Sequence, residues 1–261
     1  MQPPGTTSRY EYCLMCGTKP CSMGNQENKL QRQQGFTLIE IAIVLVIIGL
    51  LLGGVLKGQE LITSARVRNL ISTQDGIKAA YFGFLDRYRA LPGDYTAATT
   101  NITGVAATAA CGNGNGNGNG RIEAANQENV LAWEHISKAG FINGTYTCAA
   151  AEDTTTTPVN PYGVRMQLIY DGIYGITSGG AARHNLKTGP QIPVEIIAEV
   201  DRKIDDGAPY TGGFQFSVYA GGGTAPTEGA AASPACTSGA TAAATWNATN
   251  GSTNCGGVST F

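Results

Sequence analysis

The segment from Gly35 to Leu56 reads G-F-T-L-I-E-I-A-I-V-L-V-I-I-G-L-L-L-G-G-V-L, and no other feature restricts the chain so much. From Phe36 to Leu56, 21 residues carry a single charge, Glu40. As a helix rising about 1.5 Å per residue, the stretch is about 30 Å long, enough to cross a bilayer core. A carboxylate so near the start of a membrane helix is costly and points to function. Lys29 and Arg32 precede the apolar run, on the side expected to stay cytoplasmic. An ordinary secretory signal is cut after its apolar region, at small residues. Here the polar run Gln31-Arg32-Gln33-Gln34 comes first, and no A-x-A site lies directly after Leu56. A plain signal-anchor helix with Glu40 snorkelling to the interface is the simpler reading, but it leaves the whole G-F-T-L-I-E string unexplained.

That string, Gly35 through Glu40, closely resembles the amino-terminal signature of type IV prepilins and type II secretion pseudopilins. The resemblance implies cleavage by a membrane aspartyl peptidase between Gly35 and Phe36, then N-methylation of Phe36. Glu40 becomes the fifth residue of the mature chain. The resemblance also implies an α+β fold: a long N-terminal helix, its first half membrane-spanning, packed on a C-terminal antiparallel β-sheet domain. The expected organisation is a leader over 1–35, a helix over 36–90 with its membrane segment at 36–56, and a globular domain over 91–261. Met23 opens a 13-residue leader, MGNQENKLQRQQG, of the length usual in such proteins, so residues 1–22 read as an early start.

Charged residues make up only 14% of the chain, and glycine numbers 36. With 13 Lys+Arg and 17 Asp+Glu after Gly35, the mature part is mildly acidic. That argues against a strongly basic nucleic-acid surface. Of seven cysteines, Cys13, Cys16 and Cys21 lie in the leader. Three ligands without a nearby His do not complete a tetrahedral zinc set. Cys111, Cys148, Cys236 and Cys255 lie in the part expected to be exported, where an even number suggests two disulfides. Three pairings exist; the shorter closures, Cys111–Cys148 and Cys236–Cys255, are favoured.

Val67, Leu70, Gln74, Ile77, Tyr81, Phe84 and Tyr88 follow 3-4-3-4 spacing and share one helical face. The stripe reads as core packing. Leu91-Pro92-Gly93-Asp94 must end the helix by Ala90. Residues 94–125 read as a loop, and Gln127–Ala139 as a second helix stopped by Gly140. Strands are predicted over 163–170, 193–200 and 213–220, and residues 221–257 read as a long loop. The blocks Ala90-Leu91-Pro92-Gly93-Asp94, Trp133-Glu134-His135 with Ala139-Gly140-Phe141-Ile142, and Asp201-Arg202-Lys203-Ile204-Asp205-Asp206-Gly207 look like blocks of pilin-like proteins from Gram-negative bacteria.

Two oxygen-rich clusters are candidates for calcium. Asn115, Asn117 and Asn119 with Gly120 and Ile122 have the spacing of a calcium loop, with Glu123 at the ninth place. The twelfth place is Asn126 rather than a bidentate Glu, so a plain Gly-Asn turn competes. Asp201, Asp205 and Asp206 form the second cluster. Major pseudopilins carry calcium in a loop of their sheet domain, and a simple turn after a strand is the alternative. His135 and His184 are the only histidines, and no nucleophile motif or phosphate loop accompanies them. The chain does not read as an enzyme.

The resemblance implies a structural subunit held in the bacterial inner membrane by one span, with its C-terminal domain periplasmic. From there it enters a pilus or pseudopilus, at the cell surface or in the periplasm. Implied partners are further copies of the chain, the prepilin peptidase and an inner-membrane assembly platform. A membrane-anchored adhesion module that never polymerises is the alternative from another class.

Overall fold

A computed structural model describes residues 36–176, 180–229 and 235–261. The leader, with Gly35, lies outside the described residues. Helix α1 runs Leu38–Tyr88 without a break through Gly49, Gly53, Gly54 and Gly58. The chain divides into two compact units, 1–51 and 52–261, and α1 crosses the boundary. In the first unit every described side chain is exposed. One helix, α1, is long and apolar enough to cross a membrane among the described residues.

In the second unit the fold is α+β. After α1 come α2 (Ala98–Asn101), a 3-10 segment over Ala109–Gly114, α3 (Glu128–Lys138), β1 (Gln167–Asp171), β2 (Arg183–Lys187), α4 (Val194–Ile204), β3 (Phe214–Phe216) and β4 (Gly257–Thr260). The strands form one antiparallel sheet in the order β1-β2-β4-β3. The heptad-like stripe of α1 is the buried face: Val67, Leu70, Gln74, Ile77, Tyr81 and Phe84 are all buried. It serves two apolar clusters. Val67 and Leu70 join Ile192, Val194, Ile197, Phe214 and Phe216. Ile77, Ala80, Tyr81 and Phe84 join Trp133, Ile136, Met166, Leu168 and Leu186. Gln74 lies between them in sequence, where its Oε1 accepts the Ser259 hydroxyl of β4 at 2.5 Å.

Four local expectations are corrected. The segment 193–200 is not a strand; it begins α4. The run V-E-I-I-A-E-V breaks alternation at Ile197, and Val194, Ile197, Ala198 and Asp201 instead fall on one buried helical face. Residues 94–125 are not all loop, since α2 and a 3-10 segment interrupt them. The stretch 221–257 ends in the first residue of β4, a central strand. The strands expected over 163–170 and 213–220 form only at Gln167–Asp171 and Phe214–Phe216.

Candidate functional site

Thr37 precedes the first helical residue of α1, and Glu40 lies three residues on. The Thr37 N–H and hydroxyl both donate to Glu40 Oε2 at 2.8 Å, and the Glu40 N–H donates to Thr37 Oγ1 at 3.3 Å. This is a reciprocal capping box. It satisfies donors that the helix start would otherwise leave open. In an apolar surrounding such open donors cost several kcal/mol each, so the cap lets the helix begin inside a membrane. It also fixes the carboxylate at the first turn of α1, four residues after Phe36, which is 84% exposed. The Thr-x-x-Glu spacing was readable in the sequence; the role of Thr37 was not drawn from it.

The other singled-out residues gather in two places. At the first, the Pro92-Gly93-Asp94 turn meets the Trp133-Glu134-His135 stretch of α3. The Gly93 N–H donates to His135 Nδ1 at 3.0 Å, so Nε2 carries the proton and donates to the Gly114 carbonyl at 3.1 Å. Gly93 has φ +86°, and a Cβ there would overlap the Glu128 carbonyl. Burial holds the His135 imidazole neutral, down at about 4, although the Gly114 carbonyl opposes this.

Buried carboxylates then organise the Gly-Asn loop. Asp94 accepts the N–H groups of Gly118, Asn119 and Gly120 at 2.6, 3.0 and 2.7 Å. Glu128 accepts those of Asn117 and Glu123 at 3.0 and 3.1 Å. Glu134 accepts those of Ala106 and Cys148, each at 2.8 Å. Desolvation raises the Glu128 pKa, with Asp94 and Glu123 adding repulsion that its two N–H bonds oppose. None of these three acids was singled out for this role from the sequence. Their burial depends on the loop folding over α3, which no local pattern announces.

The loop is therefore built inside out relative to a calcium loop. Asn115 Oδ1 accepts from Thr99, Asn117 Oδ1 from the Asn119 N–H, and Asn119 Oδ1 from the Arg121 N–H. Glu123 accepts from Asn119 Nδ2 at 3.0 Å. These oxygens cap separate local turns, an arrangement that does not suit a shared cation.

The second place is the C-terminal end of α4. Asp201, Asp205 and Asp206 bring carboxylate oxygens within 4.8 Å of one another. Asp205 Oδ2 accepts the N–H groups of Gly213 and Phe214, at 2.5 and 2.7 Å. Asp206 accepts the Ala208 N–H at 2.9 Å and the Thr211 hydroxyl at 2.5 Å. Buried Asp201 accepts the Trp246 indole N–H at 2.6 Å, and its Oδ1 has no hydrogen-bond partner among the described residues. Desolvation, with repulsion from Asp206 and Asp205, lifts Asp201 to about 6 against the pull of Trp246. These acids staple the 207–214 turn to α4 first of all. They fit a hard cation by proximity.

Cys111 bonds to Cys148 and Cys236 to Cys255, with Cα separations of 6.2 and 5.6 Å. The first ties the 3-10 segment to the chain after α3. The second ends at Cys255, which also forms a backbone bridge with Ile192 just ahead of β4.

No curated protein and no solved structure matches the chain. Residues 30–56 match the family described as the prokaryotic N-terminal methylation motif. That match covers the polar run, Gly35, Phe36, the Thr37–Glu40 cap and the apolar half of α1, so the chain carries the prokaryotic N-terminal methylation motif, the signature of type IV prepilins and pseudopilins.

Proposed function

We propose that the chain is a structural subunit of a type IV pilus or pseudopilus filament, cut after Gly35 and N-methylated on Phe36. The observation that carries this reading is Glu40, a carboxylate three residues into an otherwise apolar helix, held by Thr37 beside the chain start. In the membrane the helix satisfies its own backbone and turns apolar side chains to lipid. In a filament those side chains bury against other copies. There the amino group of Phe36 from a neighbour compensates Glu40, which neither lipid nor a helix bundle solvates. The charge pair sets the register. The family is structural rather than catalytic, and the same holds for this reading of the chain.

The test pairs processing with assembly. Mass spectrometry of the mature wild-type protein should give Phe36 as the first residue, with a methyl group. Gly35→Ala should leave most of the protein uncut. Glu40→Leu should still insert and be cut, yet give few filaments in the sheared fraction. Normal filament yield from Glu40→Leu overturns the charge mechanism. No filament from wild type with an active assembly machine favours the anchored adhesion module. Long surface fibres would mark a pilus, and short periplasmic ones a pseudopilus of type II secretion. Calcium at Asp201, Asp205 and Asp206 belongs to the same reading, tested by a melting curve with and without chelator in wild type and Asp201→Ala.

A further inference from the structure

Lys187 is the only lysine or arginine among the described residues that is buried, at 3% exposure. It ends β2, and its side chain runs along the sheet to Asp171 at the end of β1. Its Nζ meets Asp171 Oδ2 at 2.5 Å, with the two side chains 4% and 14% exposed. An ammonium carries three donors. Asp171 is the only hydrogen-bond partner of this one among the described residues. Ions buried with so few partners lose several kcal/mol of hydration that one contact does not return. Burial accordingly lowers the Lys187 pKa, against the opposing pull of Asp171 and Glu152.

The second carboxylate near Lys187 is already occupied. Glu152 accepts from Asn129 Nδ2, Gln167 Nε2 and the Tyr219 hydroxyl, at 2.5, 2.8 and 2.6 Å. Asp171 is differently placed. Its Oδ2 faces the amine, and its Oδ1 accepts from Asn185 Nδ2 at 2.9 Å. Asn185 is itself fully buried, on the middle residue of β2, and its amide is held by the carbonyls of Asp171 and Arg183. A fixed donor on the far oxygen is what an acyl centre needs when negative charge grows there.

We propose that Lys187 and Asp171 condense to an intramolecular amide that joins β1 to β2. The ammonium first passes one proton to Asp171 Oδ2 through the existing contact, giving amine and carboxylic acid. The amine lone pair attacks Asp171 Cγ, and the developing negative charge lies on Oδ1 against Asn185. The C–N bond forms, the C–Oδ2 bond breaks, and that oxygen leaves as water with a second proton from the nitrogen. An ion pair becomes an amide and one water, with no change in net charge and no co-reactant. Loss of two poorly solvated ions favours the product, and the same burial keeps water from hydrolysing it. The proposal does not depend on the filament reading.

Intact mass of the purified, reduced and denatured full chain tests it. The wild type should be lighter by one water than its sequence mass. Trypsin cuts at Arg165, Arg183 and Arg202 but not at an acylated lysine, so a branched species joining 166–183 to 184–202 should appear. Lys187→Arg and Asp171→Ala should each restore the full mass. Asp171→Asn should give the same branched species by losing ammonia. Full mass in folded wild type overturns the proposal. So does a water loss that persists in Lys187→Arg, because Asp171-Gly172 would then be a cyclic imide rather than a cross-link.

Discussion

At the scale of single residues, the buried polar groups of the second unit set the behaviour with pH. His135 is neutral in the fold, titrating at about 4 against 6.5 when unfolded. Its contribution is fully present above pH 6.5 and is lost as pH falls from there toward 4. The full difference is on the order of 3 kcal/mol. Asp201 works the other way. Its folded value of about 6 lies above the ordinary 3.8, so its stabilising contribution is present below 3.8 and lost as pH rises through 6. Stability from urea melts should therefore rise more steeply with pH across this window in Asp201→Asn, where the opposing Asp201 slope is gone. An unchanged slope would show that Asp201 does not titrate as described. Gly212 has φ +74°, and a Cβ there would overlap the Asp205 carboxylate. Gly212→Ala should cost roughly 1–3 kcal/mol in a denaturant melt.

At the scale of elements, the disulfide from Cys236 to Cys255 ends two residues before β4, the strand paired between β2 and β3. A double Cys236→Ser, Cys255→Ser variant should lose roughly 2–4 kcal/mol. The loss should appear first as faster amide exchange in β4, since that strand enters from an irregular stretch. Uniform exchange rates along the sheet would contradict this. In α4, Ile197 is fully buried among Val67 and Leu70 of α1 and Phe214 and Phe216 of β3. Ile197→Ala should cost about 2–5 kcal/mol. Glu199, on the outer face of the same helix, forms only half-exposed pairs with Arg202 and Lys203. Glu199→Ala should change stability by less than about 1 kcal/mol. Comparable losses from both would argue that α4 does not present these two faces.

At the scale of the whole molecule, the segment from Phe36 to Leu56 contributes no buried residue to either apolar cluster. Both clusters lie within residues 52–261. A chain beginning at residue 52 should thus fold by itself, remain monomeric without detergent and unfold in one cooperative transition. Near-UV circular dichroism and sedimentation check this directly. Aggregation of that fragment, or a melt without cooperativity, would mean the apolar segment is needed for folding as well as for anchoring.

The sequence alone determined the features that local chemistry writes in a short window. The prepilin signature is a contiguous string, the α1 stripe is a 3.6-residue period, and Pro92-Gly93 ends the helix wherever it lies. Tertiary structure decided what depends on distant partners. Gly257–Thr260 is too short to announce a strand, and becomes one because β2 and β3 offer free edges on both sides. The 193–200 segment contains an alternating pattern and a helical one, and packing on α1 and β3 selected the helix. Nothing in the local sequence around Asp94, Glu128 and Glu134 announces that their carboxylates are buried. They are buried because their charge finds a set of backbone N–H groups only after the Gly-Asn loop has closed over α3. The ion pair of Lys187 with Asp171 likewise forms only once β1 and β2 have paired, with Lys187 opposite Gln167 and Asp171 opposite Arg183.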